Sequence, residues 1–331
     1  MRRREFIAVA AAATLARPGV GLAQQAMPAR RIGAFIPFAE SDRTQQHYYL
    51  SFKDKLRQLG WIEGRTLELI ERWGSAASVA DFQSTAAELV NQRPDLIFLV
   101  SSPALTAMAA ATSSIPIVFV GVSDPMGQGL ITNLARPGRN LTGFTFFDPE
   151  MGGKWLGLLK EMAPRVATVR VVFNPSTAPQ ANLFLESIAA AAASFGIAAA
   201  AAPVHDAAEI EATLGALARE GNGGLFFPSD TFTINHHALV VDLTTRYRLP
   251  ALYAHDFFAR EGGLASYGVD VAAQYAQAAE YVDAIFKGTF VGDLPVQRPT
   301  KFELIINLKT AKALGLPIPE SVLAGADEVI E

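Results

Sequence analysis

Three acids stand immediately after apolar runs of the sequence: Asp124 after "IPIVFVGVS", Asp230 after "GGLFFPS" and Asp256 after "PALYAH". Carboxylates brought together from such positions can act as general acid and base, hold a divalent cation, or pair with a ligand ammonium. Taken singly, each also reads as a turn or cap residue, because Ser-Asp and Asp-Pro are common turn chemistry. A second constellation is "LVSSPALTAMAAA", in which a strand runs into Ser101, Ser102 and Pro103 at the start of an Ala-rich helix. Proline at the first helical position leaves the following amide N–H groups pointing outward, and the serine hydroxyls add donors. Such a turn suits a carboxylate or other anion. Plain helix capping by Ser102 would use the same residues.

Other motifs fail on spacing. Gly127-Gln128-Gly129 lacks the third glycine of a dinucleotide fingerprint, since position 132 is Thr132, and the first βα turn, "IPFAESDRT", contains no glycine at all. No Walker lysine motif occurs, and "GVSDPMG" is not the Gly-x-Ser-x-Gly nucleophile elbow. His236 and His237 are adjacent, so they cannot share a helix face as metal ligands four residues apart do. Neither cofactor nor metal is expected, and no activated nucleophile supports an exported hydrolase or isomerase built on Asp124 and Asp230. Phe146-Phe147, Phe226-Phe227 and Phe257-Phe258 follow strands in pairs, one ring for the core and the other available to cover a ligand.

The elements that must position these residues alternate short β-branched or aromatic runs with stretches of helical period, the mark of βαβ units and a parallel sheet. "RRIGAFIPF", "TLELIERW", "DLIFLV", "IPIVFVGV" and "NLTGFTFF" read as the strands of a first lobe. Tyr49, Phe52, Leu56 and Leu59 line one face of its first helix, and Ser78 caps its second. A second series opens with Asp148 as cap and Pro149 at the first helical position. Its strands are "TVRVVFN", "GIAAAAAPV", "GGLFFPS", "PALYAH" and "GGLASYGV", with helices expected around 179–195, 206–220, 232–247 and 255–261. A further helix over 271–286 carries Val271, Tyr275, Ala278, Val282 and Ile285 on one face, and the chain ends as strand, short helix and tail. Ligands in open parallel sheets sit beyond the carboxyl ends of strands. The residues there are Pro37, Phe38 and Glu40; Ser101, Ser102 and Pro103; Ser123, Asp124 and Pro125; Asn174, Ser176 and Thr177; Ser229, Asp230 and Thr231; His255 and Asp256; and Tyr267 and Asp270.

A chain of 331 residues exceeds what one core comfortably holds, so two lobes with a cleft between them are expected. The net charge of −4 shows no basic concentration beyond the first residues, which argues against a nucleic-acid partner. The absence of cysteine excludes disulfides, thiolate chemistry and a lipid-anchored lipoprotein signal. "MRRREFIAVAAAATLA" places three arginines before an apolar stretch too short to span a membrane, followed by small residues suited to a signal peptidase. A leader over 1–23 is expected, ending at Ala23 with Ala26 as the second choice, of either twin-arginine or general secretory type.

The segments "SSPALTAM", "IPIVFVGVSDPMGQGLITNLARPGRNLTGFT", "VVFNPSTAP", "LFFPSDTF", "LPALYAHDFFAREGGLASYGVD" and "PTKFELIINLKTAKALGLPIP", together with the leader, resemble the periplasmic substrate-binding proteins of ABC transporters. The similarity is to the branch related to tryptophan- and tyrosine-uptake binding proteins. It implies an α/β type I periplasmic-binding architecture, two Rossmann-like lobes with parallel sheets joined by three crossings and closing on a hinge. Lobe 1 would take 31–146 plus about 263–290, and lobe 2 would take 147–262 plus about 291–331. The resemblance implies a soluble periplasmic monomer that binds a small molecule for an inner-membrane permease and is not an enzyme. The ligand expected first is an aromatic or branched amino acid, then an aromatic carboxylate; a periplasmic sensor is the alternative role. By the family pattern Ser101 and Ser102 would hold the ligand carboxylate and Asp124, Asp230 or Asp256 its ammonium. Phe38, Glu40, Phe146, Asn174, Thr177 and Tyr267 complete the candidate site. Many members carry a different acidic or amide residue where this chain has His255-Asp256.

Overall fold

The computed structural model describes residues 29–74, 78–146, 151–178 and 181–331. The expected leader and the cap by Asp148 and Pro149 lie outside the described residues. The first lobe is built on β1 (Arg30–Ile36), β2 (Leu67–Trp73), β3 (Leu96–Val100), β4 (Ile117–Val122) and β5 (Leu141–Thr145), interleaved with α1 (Arg43–Gln58), α2 (Val79–Asn91) and α3 (Ser102–Ala111). Its sheet has the order β2-β1-β3-β4-β5 with every pair parallel. Alternation along the strands sends Phe98, Val100 and Val120 to a face that shares its core with Tyr49 and Phe52 of α1. Leu99 and Phe119 go to the opposite face, with Phe82 of α2 and Leu105 of α3. Helix starts follow the sequence signals: Asp42 accepts from the Thr44 and Gln45 amides, and Ser78 with Asp81 forms a capping box.

The second lobe comprises α4 (Met151–Met162), β6 (Thr168–Phe173), α5 (Ala181–Ala192), β7 (Ala198–Pro203), α6 (Ala207–Glu220), β8 (Gly223–Phe227), α7 (Thr231–Asn235), α8 (His237–Arg246), β9 (Ala251–Tyr253), α9 (Asp256–Arg260) and β10 (Ala265–Val269). The chain then crosses into α10 (Val271–Phe286), which packs on α1, and returns for β11 (Phe302–Asn307), α11 (Leu308–Leu314), α12 (Glu320–Ala324) and β12 (Glu328–Ile330). The second sheet has the order β12-β11-β10-β9-β8-β6-β7. Only β10 and β11 pair antiparallel among the described strands, because the chain leaves the sheet at the end of β10 and re-enters beside the same end, Val269 against Phe302.

Four details differ from the sequence reading. β10 lies in the second sheet, so the stretch returning to the first lobe begins near 271 and not near 263. That stretch also reaches past 291: Val296 sits in a first-lobe core, and Gln297 exchanges backbone hydrogen bonds with Gly143 and Thr145 at the end of the first sheet. The helix expected over 232–247 is two helices, α7 and α8, hinged at His236, whose backbone leaves the helical region at φ −108°. The last residues, expected as a tail, form β12 against β11.

The chain passes between the lobes after Phe146, after Val269 and after Gln297, giving an α/β architecture of two lobes. One apolar cluster contains residues of both lobes, including Phe38 and Tyr48 from the first and Ile234 and Phe257 from the second. The lobes are therefore closed on each other.

Candidate functional site

Both sheets direct the carboxyl ends of their strands toward the interlobe contact, and a cavity lies there. The first lobe lines it with Phe38 after β1, Gln45 and Tyr48 from α1, Val100, Ser101, Ser102 and Pro103 at the β3–α3 junction, and Gly121 of β4. The second lobe contributes Thr177 after β6, Ser229 and Thr231 after β8, Ile234 of α7, and His255 after β9. Phe146 at the first crossing, with Val271 and Tyr275 of α10, completes the wall. The cavity is small, about 30 Å³. A molecule the size of an amino acid enters only when the lobes part.

The β3–α3 junction is shaped by strain. Ser101 holds φ +86° and ψ 154°, a region that side chains other than glycine rarely occupy. Its amide donates to Val120 O and its carbonyl accepts from Leu105 N, so the backbone is pinned from both sides. Gly121, φ +68°, breaks the register of β4 against β5 next to this turn. The Ser102 hydroxyl accepts from Ser123 N at 3.2 Å, whereas the buried Ser101 hydroxyl has no partner among the described residues. That hydroxyl sits at the N-terminus of α3, where Pro103 leaves the first amides unpaired within the helix.

Across the cavity, His255 is 7% exposed and stacks on Phe146 with ring centroids 4.7 Å apart. Its Nε2 lies 3.1 Å from Ser229 Oγ, while Nδ1 is buried without a partner. Burial pushes the imidazole down to about 4, so it is neutral at ordinary pH. The Tyr275 hydroxyl is likewise buried and unpartnered, and burial holds its ionisation well above the ordinary phenol range.

Of the residues singled out from sequence, Phe38, Ser101, Ser102, Phe146 and Thr177 line the cavity and six do not. Glu40 is exposed. Asn174 supports its turn from below, donating its amide to Asp230 and accepting from Ser176 N. Asp230 is fully engaged: one oxygen accepts from Thr177 Oγ1 and Phe232 N, the other from Asn174 N and Thr233 N. Its burial raises the carboxyl, and those four donors work against the rise. Asp124 turns back on its own loop and accepts from Gly127 N at 2.8 Å. Asp256 lies at the outer edge of the site, where it accepts from the Tyr48 hydroxyl and pairs with Arg260. Tyr267 stacks on Phe302 and carries Lys154 over its ring, away from the cavity. Ser229, Thr231 and His255 are strand-end residues beyond the candidate site, and helical period reads Tyr275 and Val271 as a core face. Gln45 and Tyr48 of α1 lie beside the stripe of Tyr49, Phe52 and Leu56, and the sequence carries no signal that separates them from that core face.

Residues 36–330 match the family model described as ABC transporter substrate binding protein. The tyrosine-binding protein of Clostridioides difficile is 25% identical over 285 residues, covering 86% of this chain and 80% of that protein. A conserved domain protein from Vibrio cholerae superposes with a TM-score of 0.83 at 29% identity, over 91% of this chain and 99% of that one. An ABC domain from Streptococcus pneumonia, solved in complex with L-Trp, superposes with a TM-score of 0.80 at 24% identity, again over 91% and 99%.

Proposed function

The chain belongs to the ABC transporter substrate binding protein family, and we propose that it captures a small molecule bearing a carboxylate and a flat or branched apolar group between its lobes. The observation that carries this reading is the β3–α3 junction. A strained Ser101 presents an unpartnered buried hydroxyl at a helix N-terminus, facing a cavity with Phe38, Phe146, Val100 and Ile234 in its walls. Donors at one end and apolar surface around them fit an organic acid with a ring or branched chain. The relatives that bind tyrosine and L-Trp support a ligand of that shape.

Binding without chemistry is the role. The two acids that a hydrolase would recruit, Asp124 and Asp230, have carboxylates taken up by turn donors: Gly127 N for the first, and Thr177 Oγ1 with the Asn174, Phe232 and Thr233 amides for the second. Export through the amino-terminal leader to the periplasm, action as a monomer, and delivery to an ABC permease complete the proposal. No helix among the described residues is long and apolar enough to cross a membrane.

A thermal-shift screen of the purified mature protein against amino acids and aromatic acids tests it, since a ligand that binds only the folded, closed form raises Tm by linkage. A saturable rise with at least one compound, unaltered on recovery, is expected. Silence across the panel, or conversion of the compound, would overturn the reading.

A further inference from the structure

We propose that the cavity selects an aromatic carboxylate that lacks an α-ammonium group over the corresponding zwitterionic amino acid. This rests on the reading above and narrows it to a ligand class.

The polar groups left to the ligand are uncharged hydroxyl, amide and ring groups, several of them able to donate. The Ser101 and Tyr275 hydroxyls are buried and unpartnered, and both can donate. His255 Nδ1 is a third buried, unpartnered polar atom there, and it is a donor in the tautomer whose Nε2 accepts from Ser229 Oγ. The positive end of α3 adds to them. A carboxylate is satisfied by such a set without a cation beside it.

An ammonium meets the opposite situation. Among the described residues that line the cavity there is no aspartate or glutamate. The acids nearest the strand ends are committed to protein donors: Asp230 to four, Asp256 to Tyr48 and Arg260, Asp124 to Gly127 N, and Asp270 to Ala273 N and Lys301. Taking an ammonium out of water into a closed cavity without a counter-charge is heavily penalised. After β9 the chain places the uncharged His255 in the wall, stacked on Phe146.

Calorimetry on the full mature protein with three matched pairs decides the matter: 3-phenylpropionate with L-phenylalanine, 3-(4-hydroxyphenyl)propionate with L-tyrosine, and indole-3-propionate with L-tryptophan. In at least one pair the acid without the amino group is expected to bind about tenfold tighter or better. Equal or tighter binding of the amino acid in every pair would overturn the ligand class while leaving the solute-binding reading intact. Binding of none of the six removes the aromatic ligand and the proposal with it. His255→Asp, which introduces a carboxylate into the cavity wall, is expected to move the preference toward the amino acid by about tenfold. A folded variant with unmoved preference would also count against the proposal. If His255→Asp does not fold, the wild-type pairs decide alone.

Discussion

The Tyr48 hydroxyl, on α1 of the first lobe, donates to Asp256 Oδ1 at the start of α9 in the second. Asp256 Oδ2 accepts from Arg260 Nε at 3.3 Å, and Arg260 reaches on to Glu328 of β12. A single phenol thus joins one lobe to an ion-paired cluster on the other. Burial first, and the Asp256 charge second, push its ionisation well up, so it remains a donor at every ordinary pH. Because Tyr48 also lines the cavity, the side chain that closes the lobes is part of the wall that the ligand meets.

Tyr48→Phe keeps the ring and deletes the bond. A hydrogen bond to a charged group contributes about 1.5–3 kcal/mol, so the closed state loses that much relative to the open one. Ligand dissociation is expected to quicken by about tenfold or more, with association little changed and circular dichroism unaltered. Stopped-flow measurement of both rates checks this. An unchanged dissociation rate would mean that closure does not depend on the Tyr48–Asp256 bond.

Asp124 is a turn residue by its geometry. A Cβ on Gly127 would fall 1.8 Å from Asp124 Oδ2, so the carboxylate fills the space that the glycine leaves, and its other oxygen accepts the Gly127 amide. Asp124→Ala is expected to leave ligand affinity within about twofold and to lower stability by about 1 kcal/mol, as for the loss of one local cap-like bond. Calorimetry together with urea unfolding separates the two effects. A tenfold loss of affinity at unchanged stability would return Asp124 to the ligand.

What could be read without coordinates follows from one rule, that parallel strands deliver their successors to the cleft. Ser101, Ser102, Phe38 and Thr177 are found that way, since each follows a recognisable strand. Tyr48 and Tyr275 are hidden because helical period feeds core and cleft alike; both extend an apolar stripe, and only the position of the helix end against the sheet separates their roles. Asp230 misleads for a related reason. An acid after a strand is what a ligand ammonium wants and also what an N-cap wants, and here the cap of α7 takes it. The strand pattern reads β10 with the second series, where it lies, but the point at which the chain crosses back to the first lobe is not legible, because every βα unit carries the same pattern.

His255 makes stability depend on pH in a defined window. Unfolded, a histidine titrates near 6.5; folded, this one is pushed down to about 4 by burial. Between those values the unfolded chain binds the proton and the folded chain does not. The contribution is therefore whole above about pH 6.5 and drains as pH falls toward 4, by on the order of 3 kcal/mol in all. Asp230, raised by burial, works in the other sense, losing stability as pH rises through its folded value. Comparison of wild type with His255→Asn isolates the histidine. On acidification from pH 7.5 to 4.5 the wild type is expected to lose stability relative to the variant, read by urea unfolding at each pH. Parallel curves would show that the imidazole is reachable by protons in the folded state.

Ser101 sets stability against binding. Its φ of +86° with ψ 154° costs of order 1–3 kcal/mol for a residue with a side chain, and glycine adopts it freely. Ser101→Gly removes that strain but also removes the unpartnered hydroxyl at the start of α3 and loosens the unfolded chain, which takes back part of the gain. Tm is expected to hold or rise, while affinity for a carboxylate ligand falls by about tenfold, the worth of one hydrogen bond to a charge in a closed site. Ser101→Ala provides the contrast: it keeps the strain and loses the hydroxyl, so it matches the glycine variant in affinity and lies below it in Tm. If Ser101→Ala bound the ligand as tightly as the wild type, the strain at this position would have to serve the path of the chain into α3 and not the ligand.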